Sequence, residues 1–423
     1  MAFSNNLSRE IDVYIKQHQD SYVNRFLPVE ISGKREDLLV YRFPTELLRY
    51  NIRNGRFAAE YAALVSKQGR ELDPNNKKDS SELRKLLLTL NPKQTEILKA
   101  DLIRIGQLEP GIITFDGYVI NGNRRMAIFE LLSEETGEPR WSYIEMALLP
   151  HSVSEKDLWR LEANLQFSRD EKVDYGPINT LLKFREGIKA GLSSKQIAAS
   201  MFGGFKEREI IDSLERLKLI DNYLEYIGKK NDYVFAEGIN EHFIDLSKFI
   251  SKQRKNGLDA LELNKMTKIA FDMIKTRKLR HLDLRDLNIV AENAKAKEHL
   301  LNSEDELKGE ETSIKATTGN NYMESKENTN TDVFQKEEEE SEDLDDEPSR
   351  GYLDPPALVV FQESVEIAKA TQAQNQPIKL LNKALANLQN VVLDTSNRMD
   401  PKTLQIIEEI NSIVKKLLDS TKP

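Results

Sequence analysis

The chain has 423 residues, of which 39% are hydrophobic and 31% charged, and it carries a formal net charge of −9 at pH 7. This length is enough for two to four domains of ordinary size. The sequence contains no cysteine, which excludes disulfide bonds, thiolate metal sites and cysteine nucleophiles. Its 5 histidines are scattered, and it has no Gly-x-x-x-x-Gly-Lys-Ser/Thr loop, which argues against a zinc site and a P-loop ATPase.

The N-terminal residues and the hydropathy predict no secretory or membrane segment. Met1-Ala-Phe-Ser lacks the basic start and the apolar stretch of a signal peptide. The sequence also lacks an apolar run of about 18 residues, the length that a membrane span needs. We therefore expect a cytoplasmic protein with no membrane partner.

Residues 1–150 predict an α+β module. A helical pattern over 57–105 is followed by two strand-like runs, 112–115 and 118–120. The dipeptide Asp116-Gly117 between them is a favoured hairpin turn. A further strand is expected over 141–148. Because strands and helices alternate in this stretch, we expect an α+β domain.

The junction Asn121-Gly-Asn-Arg-Arg125 predicts an anion site. Here a strand ends in a glycine-containing turn, and a helix with two arginines in its first turn follows. Free amides at a helix N-terminus, the helix dipole and guanidinium groups together suit a phosphate. The alternative is an ordinary strand-turn-helix with two solvated arginines. Further candidates for a phosphate contact surround a nearby Asn-Gly turn: Arg49, Arg53 and Arg56.

Residues 151–300 predict a helical domain with a helix-turn-helix over 192–220. A short capped helix, a glycine-containing turn and a second amphipathic helix follow one another there. In a DNA-binding interpretation, the second helix enters the major groove, and Lys206, Arg208 and Arg216 contact the DNA. In the alternative interpretation, this is a structural helical hairpin with solvated charges, since several acidic residues share the second helix.

An acidic segment separates this domain from a small C-terminal unit. Residues 301–350 contain 17 acidic and 5 basic side chains, so they carry −12 and the rest of the chain +3. We interpret the segment as a disordered linker, because it has too little apolar surface to fold. The alternative is a DNA mimic that covers a basic surface. Residues 351–423 predict three helices, 356–371, 377–393 and 401–418, whose apolar stripes suit oligomerisation or partner docking.

Three motifs, in order along the chain, resemble the ParB/sulfiredoxin superfamily. The first two match a Gly-Gln…Pro segment and a Gly-Glu-Arg-Arg box, through Gly106, Gln107, Pro110, Gly122, Arg124, Arg125 and Ala127. The third, Leu161–Arg169 followed by Val173-Asp-Tyr175, is similar to the Glu-Asn-x-x-Arg box and the helix after it. The resemblance covers roughly residues 38–290 and includes the helix-turn-helix.

The resemblance implies a bound nucleoside triphosphate, CTP or ATP, with Mg²⁺. The residues it assigns to the nucleotide are Gln107, Gly122, Asn123, Arg124, Arg125 and Asn164. Asn164, with Glu162, would hold the metal ion. These side-chain types suit a magnesium nucleotide, which needs oxygen ligands on the metal and cations on the phosphates.

The chain departs from the family pattern at three positions. Asn123 replaces the glutamate of the second box, Ala163 separates Glu162 from Asn164, and Phe167 stands where the third box has arginine. These departures put CTP specificity and hydrolysis in doubt. Sulfiredoxin activity is excluded, because it needs a cysteine.

We therefore expect a divergent ParB-like protein that binds double-stranded DNA under the control of a nucleotide, as a homodimer or higher oligomer. Two alternatives use the same residues. One is a nuclease or nucleoside triphosphatase effector, for example in phage defence or on a mobile element. The other is a non-catalytic scaffold that recruits a protein partner through its C-terminal helices.

Overall fold

The computed structural model describes residues 5–166, 176–201, 204–302, 356–391 and 401–420. The chain divides into two compact units, residues 1–285 and residues 286–423. Residues 303–350, most of the predicted linker, lie outside the described residues, so the disorder of this segment stays a prediction.

The first unit contains a mixed six-stranded sheet with the order β1-β2-β6-β4-β5-β3. The pairs β1-β2, β2-β6 and β4-β5 are antiparallel, whereas β3-β5 and β4-β6 are parallel. The predicted turn Asp116-Gly117 joins β4 to β5, and Gly117 has a φ of +80° there. The strands are β1 (Tyr22–Ile31), β2 (Lys34–Pro44), β3 (Arg49–Tyr50), β4 (Gly111–Ile113), β5 (Tyr118–Asn121) and β6 (Tyr143–Leu148).

Five helices accompany these strands: α1 (Asn5–Gln17), α2 (Ala58–Gln68), α3 (Lys77–Thr89), α4 (Pro92–Ile105) and α5 (Asn123–Thr136). Both faces of the central strands are buried. Ile113 and Val119 belong to a core that also contains Leu83 and Phe129 from the helices. Their neighbours in the chain face the opposite side, where they pack with residues that include Leu161. Alternation along a strand thus places consecutive apolar residues in two cores.

Helices follow β6 to the end of the first unit: α6 (Glu155–Gln166), α7 (Pro177–Lys189), α8 (Ser194–Ser200), α9 (Glu207–Tyr226), α10 (Val234–Glu237), α11 (Asn240–Lys255) and α12 (Ala260–Lys275). They pack directly on the sheet module. Helix α6 contacts β1 and β5, and α7 contacts α2, α8 and α9. The predicted α+β module followed by helices is therefore confirmed at this level, and both parts belong to one compact unit.

The second unit is helical, with α13 (Leu287–Glu292), α14 (294–302), α15 (Pro356–Gln389) and α16 (Pro401–Ser420). The prediction of three helices after residue 351 was wrong. Pro377 lies inside α15, and the helix continues through it. Proline has a helical φ and loses only one hydrogen bond, so it does not have to end a helix where neighbouring residues favour one. In the part of the chain that is described, no helix is long and apolar enough to cross a bilayer.

Candidate functional site

The predicted anion site lies where β5 ends and α5 begins. Gly122 connects them with a φ of +106°, a value that L side chains rarely adopt. A Cβ on Gly122 would lie 3.4 Å from the Cα of Gly111 in the neighbouring strand. The turn therefore needs glycine for its backbone conformation, whereas a Cβ there would make only an ordinary van der Waals contact. The first turn of this 14-residue helix, with Asn123, Arg124 and Arg125, lines a cleft.

This cleft is a cavity of about 220 Å³, and we call it the arginine cleft. Three arginines from two segments of the chain line it: Arg56, Arg124 and Arg125. Three leucines form an apolar wall, two at the end of α3 and one in the middle of α4: Leu87, Leu90 and Leu98. Cations beside an apolar wall suit a ligand that has an anionic group and a flat apolar part.

Arg125 is a half-buried cation in the cleft. Burial lowers the pKa of its guanidinium group, and the negative charge of Glu109 acts in the opposite direction. The guanidinium donates a hydrogen bond to the main-chain oxygen of Glu109. Because arginine stays protonated in proteins, the cleft keeps this positive charge at any ordinary pH, which favours an anionic ligand.

Two side chains that were predicted to contact the nucleotide, Asn123 and Gln107, make hydrogen bonds with the main chain of the sheet module. The amide oxygen of Asn123 accepts from the main-chain N–H of Asn51 at 3.1 Å, and its NH₂ donates to the oxygen of Val119 at 2.8 Å. The Gln107 carboxamide makes two hydrogen bonds with the main chain of Glu145 in β6. It donates to the oxygen of Glu145 at 2.8 Å and accepts from the N–H of Glu145 at 2.9 Å. Both side chains thus complete main-chain hydrogen bonding of the sheet module.

Glu162 lines the arginine cleft and also anchors one of its walls. One carboxylate oxygen accepts from the main-chain N–H of Gly55 at 2.9 Å. The other lies 2.8 Å from Nζ of Lys183 on α7. Asn179, also on α7, accepts from the Ala59 N–H at 2.9 Å. The segment that carries Arg56 is therefore held by α6 and α7.

Lys183 is completely buried and also lies 3.1 Å from a carboxylate oxygen of Glu186. Burial lowers the pKa of Lys183, but the two carboxylates outweigh it and the pKa is raised. Burial likewise raises the pKa of Glu186, against the effect of Lys183. The sequence analysis missed this group. Its signal is a lysine within the apolar run Leu181-Leu-Lys-Phe184.

A second cavity of about 500 Å³ adjoins this group of charges and shares Glu162 and Ile120 with the arginine cleft. Trp159 and Tyr233 provide aromatic surface in it, and Arg53 provides a cation. Arg53 pairs at 3.6 Å with Glu155. The two cavities lie side by side at the contact between the sheet module and helices α6 and α7.

The predicted metal ligands Glu162 and Asn164 do not converge. Asn164 lines a third cavity, together with Asp157 and Arg160, whereas Glu162 lines the first two. The two residues are two positions apart on α6, so their side chains are rotated by about 200° from each other about the helix axis. They therefore do not fit a single Mg²⁺ ion, and the described residues contain no cluster of three acidic or histidine side chains that could hold one. The rest of the third motif, 167–175, lies outside the described residues.

The predicted helix-turn-helix region contains the helices α8 and α9, and residues 202 and 203 between them lie outside the described residues. A capping box begins α8, in which Ser193 accepts from the Gln196 N–H at 3.2 Å and the Gln196 side chain accepts from the Ser193 N–H at 2.9 Å. Ile197 and Ile210 pack the two helices on Trp159 and Phe184. This core joins the helix pair to α6 and α7.

The three predicted DNA contacts differ in accessibility. Lys206 and Arg208 are exposed at the start of α9, and Arg208 pairs with Asp212 at 2.9 Å. Arg216 is half-buried, its Nε has no hydrogen-bond partner among the described residues, and burial lowers its pKa. Lys206 and Arg208 can thus reach a phosphate from the start of the helix, whereas Arg216 faces protein.

No family model, curated protein or solved structure matches this chain.

Proposed function

We propose that this chain binds a nucleoside triphosphate, CTP or ATP, in the arginine cleft, and that the nucleotide controls how its helix-turn-helix binds double-stranded DNA. The observation that carries the proposal is the cleft itself. It combines a glycine turn, a helix N-terminus and three arginines, opposite a wall of leucines. The first-turn amides, Arg124 and Arg125 bind the phosphates, Arg56 adds a third cation, and the leucine wall receives the base or sugar.

The arginine cleft alone is smaller than the roughly 300–1,000 Å³ of usual ligand pockets. The neighbouring cavity of about 500 Å³ shares the lining residues Glu162 and Ile120 with it, and we propose that the bound nucleotide extends into that cavity. Because Glu162 and Asn164 lie on opposite sides of α6, the proposal assigns no metal ligand from this pair.

Helix α7 supplies a route from the cleft to DNA. It holds the Arg56 segment through Asn179, and holds Glu162 through Lys183. It also packs on α9, whose first residues carry the exposed Lys206 and Arg208. A ligand that moves the Arg56 segment therefore acts on a helix that contacts the DNA-binding helix.

Nucleotide binding is tested by calorimetric titration of the full chain with CTP, ATP, GTP and UTP, each with Mg²⁺. We expect saturable binding of one or more nucleotides, weakened at least about tenfold by Arg124→Gln. The control is Arg104→Gln, which removes an exposed arginine on α4 that pairs with Asp101 at 2.9 Å. If none of the four nucleotides binds, or if both variants weaken binding equally, the nucleotide site is refuted.

DNA control is tested by fluorescence anisotropy with a random-sequence duplex, with and without the nucleotide that binds. We expect the nucleotide to change the DNA affinity, and Lys206→Ala/Arg208→Ala to weaken binding and lower its dependence on salt. Lys93→Ala/Arg104→Ala removes the same charge from exposed positions of α4 as a control. A DNA affinity that does not change when the nucleotide is added contradicts the proposed control. Release of a nucleoside diphosphate, or nicking of plasmid DNA by the chain, would favour the alternative of an effector enzyme.

A further inference from the structure

The last helices of the first unit expose a basic surface, although the chain as a whole is acidic. Residues 240–285 contain 11 basic and 6 acidic side chains and so carry +5, whereas the whole chain carries −9. Of the ten exposed positions of α11 and α12, six are lysine or arginine and only one, Glu241, is acidic. The six basic residues are Lys248, Lys252, Arg254, Lys255, Lys268 and Lys275.

Three of these lysines lie along one side of α11, and we call them the lysine stripe. Lys248, Lys252 and Lys255 are spaced by four and three residues, so their directions differ by no more than about 60° about the helix axis. Together they span about 10 Å along the helix. Arg254 is exposed on the same helix but points about 120° away from Lys248. No acidic residue lies between positions 248 and 255.

Arg285, in the segment after α12, adds a fourth cation beside the stripe. The carboxylate of Asp245 on α11 is buried, and one of its oxygens lies 3.8 Å from Nζ of Lys248 and 3.2 Å from Nε of Arg285. His281 approaches the other oxygen at 3.1 Å. Asp245 therefore holds Arg285 next to Lys248, and its single negative charge does not offset both of these exposed cations.

We propose that the lysine stripe and Arg285 bind phosphates of one strand of double-stranded DNA. A DNA strand carries one phosphate for about every 3.4 Å of the helix axis, so a stripe of about 10 Å can face about three of them. None of the ten exposed positions of α11 and α12 is aromatic. This favours a duplex over single-stranded nucleic acid, which proteins bind by stacking bases on aromatic side chains.

The stripe is a second DNA contact, distinct from Lys206 and Arg208 at the start of α9. Contacts to phosphates position a protein on the duplex and carry no sequence information directly. We therefore expect the stripe to add affinity for any duplex. The inference rests on the DNA binding proposed above, and it does not depend on the nucleotide.

Fluorescence anisotropy with a random-sequence duplex, over a series of salt concentrations, tests the stripe. Lys248→Gln/Lys255→Gln should weaken binding at least about tenfold near 0.1 M salt and lower the slope of log affinity against log salt by about 2. Two neighbouring residues provide a matched pair, because Lys255→Gln and Arg254→Gln remove the same charge from exposed positions of one helix. We expect Lys255→Gln to lower the slope by about 1 and Arg254→Gln to leave it unchanged.

The variant Lys206→Ala/Arg208→Ala separates this inference from the proposed function. If it weakens DNA binding and the stripe variants do not, the stripe is refuted and the helix-turn-helix contact stands. If only the stripe variants weaken binding, the stripe stands and the contact by α9 is refuted. The inference is also overturned if Arg254→Gln and Lys255→Gln have equal effects, if the chain binds no duplex, or if the stripe variants lose binding only to phosphatidylglycerol vesicles.

Discussion

The ammonium group of Lys183 lies 2.8 Å from the carboxylate of Glu162, and no part of the lysine side chain is exposed to solvent. The pair joins α7 to α6, and the same carboxylate accepts the main-chain N–H of Gly55. One buried ion pair thus connects α6 and α7, on which α8 and α9 pack, with the segment that brings Arg56 to the arginine cleft.

Replacing Lys183 should destabilise the chain strongly. In Lys183→Met the buried carboxylate of Glu162 and the half-buried one of Glu186 lose their cation, so we expect a loss of about 3–5 kcal/mol in the free energy of unfolding, measured with urea. Lys189→Met, at an exposed position of the same helix, should change it by less than about 0.5 kcal/mol. Adding Glu162→Gln to Lys183→Met should recover part of the loss. Equal effects of the two single lysine variants would contradict this account of the ion pair.

Replacing Gln107 tests whether this side chain stabilises the fold or contacts a ligand. Gln107→Ala leaves the N–H and the oxygen of Glu145 without their partners, so we expect a loss of about 1–3 kcal/mol in stability. Gln94→Ala, at an exposed position of α4, should have little effect on unfolding. A stability unchanged by Gln107→Ala, together with weakened nucleotide binding, would instead support the direct contact that the family resemblance implies.

Gly122→Ala should damage both the fold and the cleft. At a φ of +106° the backbone of an alanine is strained, so we expect a cost of about 1–3 kcal/mol in stability. Gly137 ends the same helix with a φ of +66° and has open space around it. Gly137→Ala should cost about 1 kcal/mol and leave ligand binding at the cleft unchanged. If Gly137→Ala weakened nucleotide binding as much as Gly122→Ala, the local role of Gly122 would be refuted.

Acid should destabilise the first unit through Asp79. Two hydrogen bonds of 2.7 Å from Arg70 and one of 2.8 Å from the Asp73 N–H hold the pKa of this carboxyl at about 2, below its ordinary value of 3.8. The stabilisation is therefore fully present above about pH 4 and is lost as the pH falls toward 2. Stability measured between these pH values should fall less steeply in Asp79→Asn than in the original chain. Parallel curves for both chains would contradict the lowered pKa.

Part of the site could be predicted from the sequence because its signals are local. The turn residues Asp116-Gly117 and the glycine of Asn121-Gly-Asn-Arg-Arg125 have conformational preferences that act within a few residues, and both predicted junctions are present. Arg124 and Arg125 follow directly, so their place at the start of α5 needed no knowledge of distant contacts. The two helices α8 and α9 and the cap at Ser193 could likewise be predicted from local residues and helical spacing, whereas their use as a helix-turn-helix stays a prediction.

The sequence by itself thus determined the α+β beginning, the helices after it, the glycine turn that joins β5 to α5 and the apolar stripes of α15 and α16. Only the tertiary structure decided which polar side chains serve the fold. The side chains of Asn123 and Gln107 accept hydrogen bonds from the main-chain N–H groups of Asn51 and Glu145, because main-chain groups inside the fold require hydrogen-bond partners. Arg56 lines the arginine cleft because Glu162 on α6 and Asn179 on α7 accept hydrogen bonds from the main chain of its segment. The side chains of Glu162 and Asn164 lie on different sides of α6, because a helix turns by about 100° per residue and the two residues are two positions apart.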